Sequence, residues 1–130
     1  MRKISDVIRE KVDFINNTEH FRVDMKVIDS KVSDRLRIAS ETIELKLPEN
    51  ITMELSIAGQ DNNGICSILG GNYPVFIDFK EDGINKGTIN ILDYYNLRKD
   101  IKFTNSDSNW IYFRCEKIIE KIKEIPIYKS

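Results

Sequence analysis

Few residues in this chain have types suited to chemistry: one histidine, His20, two cysteines, Cys66 and Cys115, and a polar run at Asp61-Asn62-Asn63-Gly64. Histidine exchanges a proton near neutral pH, so His20 is the first candidate for a general base. A base of that kind needs a nucleophile and an orienting carboxylate. No second histidine, Cys dyad or G-x-S-x-G elbow accompanies it, and a surface or capping role is the expectation. The cysteines stand far apart without CxxC spacing, which gives no zinc site and no disulfide framework and leaves two free thiols.

Residues 61–64 match the opening of a calcium-binding loop, but the later oxygen ligands and the closing glutamate are missing, so a plain turn is expected. Gly64, Gly70 and Gly71 lack the lysine of a phosphate-cradling loop and read as relief of backbone strain in a long connection. Asp78, Glu81 and Asp82 are close in sequence, yet Asp78 falls on the polar side of a strand pattern and the other two in a turn, which makes a poor carboxylate pair. No catalytic residue, metal ligand or cofactor follows from these patterns.

The aromatic set Tyr73, Tyr94, Tyr95, Trp110 and Phe113 fits core packing less comfortably. Tyrosine and tryptophan present a large rigid body with a polar tip at low entropic cost, which suits them to interface hot spots. With Asp61, Asp93 and Asp107 beside them, these eight residues form the candidate partner-binding set, and the acidic neighbours imply a basic partner.

A chain of 130 residues has the size of one domain, so residues 1–130 are expected to share one core. Twenty basic and 21 acidic residues, spread evenly along the chain, give a formal charge of −1 and no field to attract a phosphate backbone. Nucleic acid is therefore not expected. Asp6, Arg9, Glu10 and Lys11 interrupt the N-terminal apolar run, so no signal-peptide core is present, and no stretch approaches the roughly 18 apolar residues that cross a bilayer. A cytoplasmic location without membrane contact is expected, where the Asn16-Asn17-Thr18 and Asn50-Ile51-Thr52 sequons carry no meaning.

The elements that must position these residues are legible from periodicity. Ile4, Val7, Ile8, Val12 and Ile15 form one helical stripe, predicting a helix over 3–16 that stops at Asn16 and Asn17. Phe21, Val23, Met25 and Val27 alternate with charges and predict a half-buried strand, ended by a turn at Asp29 and Ser30. The alternation resumes at Leu36 and Ile38, at Ile43, Leu45 and Leu47, and at Ile51, Met53, Leu55 and Ile57, with Pro48-Glu49-Asn50 as a tight reversal. Residues 59–74 read as a long irregular segment, of a length uncommon without a function. Val75, Ile77 and Phe79 predict another strand, and Asp82-Gly83 a hairpin leading to a strand at 88–92. Ile101 and Phe103 suggest a short strand, closed by a turn or cap at 105–109. Ile111, Cys115, Ile118, Ile119, Ile122 and Ile125 then favour a helix from about 109 up to Pro126. That helix strands Phe113 on its charged side; a strand over 110–115 with the helix starting near Glu116 is the other reading.

The fold class expected is α+β: an N-terminal helix, an antiparallel sheet of about six short strands, and a C-terminal helix packed on one face. Short connections rule out parallel neighbours, which need a crossover of about a dozen residues or more. A motif-poor domain of this kind suits a protein-binding inhibitor, such as an immunity protein that neutralises a bacterial toxin encoded by a neighbouring gene. Two other classes fit the same features: an assembly subunit of a phage particle or secretion apparatus, and a small enzyme or ligand-binding module with a site built from His20, Asp61, Asp78 and Tyr95. Oligomeric state is not encoded in any motif.

Overall fold

Ile4, Val7, Ile8, Val12 and Ile15 line the buried side of a helix spanning Ile4–Thr18 (α1) in the computed structural model, which describes residues 1–93, 97–105 and 108–128. The Lys3 N–H donates to the Asp6 carboxylate at 2.8 Å, which satisfies one exposed donor at the helix start. Asn16 and Asn17 lie inside the helix. Asn16 accepts from the Val23 N–H at 2.8 Å and donates to the Val23 carbonyl at 2.9 Å, which clamps the end of α1 to the approach of the first strand.

Among the described residues six antiparallel strands follow: Asp24–Ser33 (β1), Ile38–Leu47 (β2), Ile51–Asn62 (β3), Ile65–Ile68 (β4), Val75–Glu81 (β5) and Ile84–Asn90 (β6). Their order is β1-β2-β3-β5-β6, with β4 paired to the end of β3. A short helix, Leu97–Asp100 (α2), and a long one, Ser108–Ile122 (α3), follow the sheet. The fold is α+β, as the periodicity predicted, with helix first, antiparallel sheet, and helix last.

Strand alternation sends Ala39, Ile43, Leu45 and Leu47 of β2, Met53, Leu55 and Ile57 of β3, and Ile77 and Phe79 of β5 to one face, where all are buried. Ile111, Cys115, Ile118, Ile119 and Ile122 of α3 join the α1 stripe in the same core, so both long helices cover that one face. Each of the larger of these side chains, the isoleucines, leucines, Met53 and Phe79, stabilises the fold by about 1.5–3 kcal/mol through removal from water. The opposite face is polar and half-covered, and carries Thr42, Glu44, Thr52, Glu54, Ser56, Asp78 and Lys80. There Lys80 pairs with Glu54 at 3.2 Å.

Several boundaries differ from the sequence expectation. The first strand begins at Asp24, not Phe21, and runs through Asp29 and Ser30, which were expected to turn. A bulge at Ile28 lets the strand continue: Val27 pairs with Ile43 and Asp29 with Thr42. The reversal falls instead at Asp34–Arg37, and Leu36 is at its exposed tip.

The irregular segment expected over 59–74 shrinks to 69–74. Gly59–Asn62 continue β3, and Asn63-Gly64, with φ of 55° and 83°, make a two-residue turn into β4. Positive φ at both turn positions is what Asn-Gly supplies at a hairpin that must match the strands' right-handed twist. Gly59 sits in a strand for another reason: a Cβ there would lie 2.8 Å from Cys66 Sγ and 2.9 Å from Ile4 Cβ. It marks where the start of α1 presses onto the sheet.

Asp82-Gly83 forms the expected hairpin, but the following strand starts at once, at Ile84 rather than Thr88. Residues 101–104 are not a strand. The Ile101 N–H bonds the Leu97 carbonyl at 2.9 Å, and side chains take the donors that follow: the Phe103 N–H bonds the Tyr112 hydroxyl at 3.2 Å, and the Thr104 and Asn105 N–H groups bond the Glu81 carboxylate at 2.8 and 3.1 Å. Ile101 and Phe103 are buried as expected, but against α3 and the rim of the sheet. Of the two readings at 110–115, the helix is the one adopted.

Candidate partner-binding site

α1 and α3 lie side by side and run in opposite directions. Lys11 reaches Glu124 at 3.2 Å near one end, and Lys121 stands 4.2 Å from the centre of the Phe14 ring. At the other end Arg114 stands over Phe21 at 5.9 Å. This pairing brings the residues just after α1 against the first turns of α3, where Glu19, His20, Phe21, Trp110, Phe113 and Arg114 line a groove of about 210 Å³.

Trp110 is 62% exposed and Phe113 39% exposed, and their rings meet edge to face with centroids 6.2 Å apart. Both point away from the core because the helical stripe that buries Ile111, Cys115, Ile118 and Ile122 leaves no room for them on its side. Cations stand over the rings: Lys117 lies 5.3 Å from the centre of Phe113, and Arg114, over Phe21, also pairs with Glu49 at 3.2 Å. Chemically the groove offers flat aromatic surface with a cationic rim and one imidazole, which fits the insertion of an apolar or aromatic side chain from a partner.

The structure separates the expected set. Tyr73 lines a second groove, of about 430 Å³, with Leu69, Gly70, Gly71, Ile127 and Tyr128. Ile127 follows α3, so this groove lies at the end of α3 opposite Trp110, roughly 20 Å away along the helix. Asp93 is exposed on the turn after β6, next to Leu92, which lines a small cavity with Ile68, Ile125 and Ile127 near that second groove. Tyr94, Tyr95 and Asp107 lie outside the described residues.

Asp61 is a correction. It is 1% exposed, and its carboxylate accepts from the Arg2 N–H at 2.9 Å, the Gly64 N–H at 2.8 Å and the Arg37 guanidinium at 2.5 Å. A buried carboxylate spent on its own chain has no surface to offer a partner. Its acidity follows: the Arg2 N–H, and after it Arg37 and Gly64, hold Asp61 below the usual carboxylate range against the opposing effect of burial.

Three members of the scattered-residue site do not meet. Asp61 bonds Arg2 before the start of α1, His20 lies beyond its far end, and Asp78 sits on the outer sheet face, where it accepts a bond from the Thr88 hydroxyl. Tyr95, the fourth, lies outside the described residues. Among the described residues no group of three or more His, Cys, Asp or Glu is placed to hold a metal ion. Both thiols are free and buried. Burial raises that of Cys66 to about 11 and lifts that of Cys115 further.

Sequence reasoning missed Phe21 and Arg114 as members of the groove, and Phe14 as an exposed ring of α1 beneath Lys121. The signal was present for Phe14: it is an aromatic lying off the apolar stripe of a helix, the same irregularity that singled out Phe113. No family model matches the sequence, no curated protein matches it, and no solved structure matches its fold.

Proposed function

We propose that the protein is a binding module that acts by forming a tight complex with a protein partner, and that the Trp110–Phe113 groove is its docking point. The observation that carries this reading is Trp110 held 62% exposed beside a second exposed ring on a rigid helix. Leaving a large apolar ring in water forgoes about 2 kcal/mol of burial energy, which a partner that covers it recovers. The rim cations Arg114 and Lys117 favour carboxylates on the partner, opposite in sign to the basic partner that Asp61, Asp93 and Asp107 implied from sequence.

Within this class, the reading we favour is inhibition: an immunity-type protein that occupies a bacterial toxin. A domain that acts by covering another protein needs a rigid scaffold and an anchor residue but no reacting group, and α3 supplies both. The experiment is coexpression with the product of the adjoining gene, followed by purification through a tag on this chain. A stoichiometric complex, with growth restored to cells that produce the partner, is expected. Trp110→Ala is expected to weaken the complex about 30-fold, the effect of losing roughly 2 kcal/mol at an interface centre. Recovery of no partner, or a complex indifferent to Trp110→Ala, would refute the reading.

A further inference from the structure

Among the described residues, one edge of the sheet is open. β6 is flanked by the segment at 97–101, where the Ile101 side chain and the Asp100 carbonyl come close to Gly87. β1, at the other edge, is ten residues long, and its residues are exposed apart from Met25 and Ser33, which are half-buried. Val27, Ile28 and Val32 are 37%, 48% and 44% exposed, so this edge offers unpaired backbone and apolar side chains together. An edge of that kind is a template for another strand.

The sequence of this edge selects a partner. Pairing with β2 assigns each β1 residue to a face: Met25, Val27, Ser30 and Val32 oppose the buried residues Leu45, Ile43, Glu41 and Ala39, while Asp24, Lys26, Asp29 and Lys31 oppose outer-face residues. The outer row therefore reads Asp, Lys, Asp, Lys. The bulge at Ile28 creates this pattern, because without the extra residue Asp29 and Lys31 would fall on the helix side. A bulge commonly discourages pairing along an edge. Here it also aligns four charges on one face.

We infer that β1 pairs antiparallel with β1 of a second copy of this chain, about a two-fold axis between Val27 and Ile28, joining the two sheets into one. In that register Asp24 lies opposite Lys31 and Lys26 opposite Asp29, each pair occurring twice, and Met25 meets Ser30 on the helix side. Slipping the register by two residues in one direction opposes Asp24 to Asp29, and in the other opposes Lys26 to Lys31. Only the stated alignment sets every outer-face charge of the strand against its opposite, and like charges directly opposed destabilise a ladder. Asp24 already has Arg22 beside it at 3.1 Å, an exposed contact that the new pair shares or replaces.

The test is light scattering on the full chain, at several concentrations and two salt levels. The wild-type protein is expected to reach twice the monomer mass, with dissociation promoted by salt. Lys26→Asp with Lys31→Asp, and separately Asp24→Lys with Asp29→Lys, are expected to stay monomeric with unchanged circular dichroism. An equal mixture of the two variants should regain the dimer mass. A wild-type chain that remains monomeric at the highest concentration, charge-reversed variants that still dimerise, or a mixture that stays monomeric would each overturn the proposal. A monomer that instead accepts a strand from an unrelated protein would overturn it too.

Discussion

Among the described residues three carboxylates are buried, those of Glu41, Asp61 and Glu81, and each serves the backbone. Glu41 accepts from the Ser5 N–H at 2.9 Å in the first turn of α1, where a negative charge suits the helix end. Asp61 ties Arg2 to the β3–β4 turn, and Glu81 holds the 104–105 segment. Burial pushes the pKa of Glu81 up, but donation from Thr104 and Asn105, with Lys86 nearby, more than offsets it and leaves the group below its ordinary value. Because Asp61 and Glu81 both titrate lower in the folded state than in the unfolded chain, the stability they contribute is present above about pH 4.5 and is lost as pH falls through their folded values. Chemical denaturation followed from pH 7 downward is expected to show a falling midpoint below that point. In Asp61→Asn the midpoint should be lower at pH 7 and the acid decline shallower. An unchanged acid decline would show that the folded state does not favour the ionised carboxylate. At Trp110 the expectation is opposite in kind: Trp110→Ala, on an exposed ring, should leave the thermal midpoint unchanged while abolishing most partner binding, a separation that calorimetry and a binding titration read directly.

At the scale of elements, two glycines near the β3–β4 hairpin should respond differently to alanine. Gly64→Ala places a side chain at φ of 83° in open space and is expected to cost about 1 kcal/mol from backbone strain alone. Gly59→Ala drives a methyl against Cys66 and Ile4 and is expected to cost more, about 1–3 kcal/mol, with α1 displaced. Urea unfolding of the two variants gives the comparison, and equal costs would remove the close-approach account of Gly59. The same pair shows where sequence was readable. Asn63-Gly64 and Asp82-Gly83 are local turn chemistry, and periods of two and of 3.6 residues found β2, β3, β5, α1 and α3, because one-sided burial writes its period into the chain. Gly59, in contrast, looked like the start of a loop, since a glycine required by a contact with Ile4, distant in sequence, has the same local appearance as one required by a bend. β1 was misplaced for a related reason: its helix-side residues Val27 and Val32 are only partly covered, and the bulge at Ile28 breaks the alternation midway. Residues 101–104 were read as a strand because Ile101 and Phe103 are buried, but the amides of Phe103 and Thr104 are claimed by Tyr112 and Glu81, which no periodicity records. For the candidate site, Trp110 and Phe113 were legible as aromatics off the apolar stripe. Their meeting with Phe21 and Arg114 depends on how α1 and α3 pack, a tertiary fact.

For the molecule as a whole, the core is one connected cluster that runs from α1 through every strand from β2 to β6 to α3, so it should unfold in a single transition. Phe79, fully buried at its centre and 6.3 Å from the Phe103 ring, is the natural probe. Phe79→Ala is expected to cost about 3–5 kcal/mol, a large share of the 5–15 kcal/mol typical of a domain, with coincident loss of the helix and tryptophan signals. Separate transitions for the two signals would divide the core into independent parts.

The first and last described stretches are fastened to the same small hairpin. Arg2 is held by Asp61 in β3, while the Ile68 N–H of β4 donates to the Pro126 carbonyl and the Tyr128 N–H donates to the Ile68 carbonyl. With Asp61 paired to Cys66 and Ile68 two residues further along, the anchoring points stand about 7 Å apart along the strand. Mechanical tension applied between residues 2 and 128 would therefore load a four-residue strand before it reached the core. A brief linker could equally join the two, with new ends opened at the Asp34–Arg37 tip, and yield a circularly permuted protein whose interior contacts are untouched.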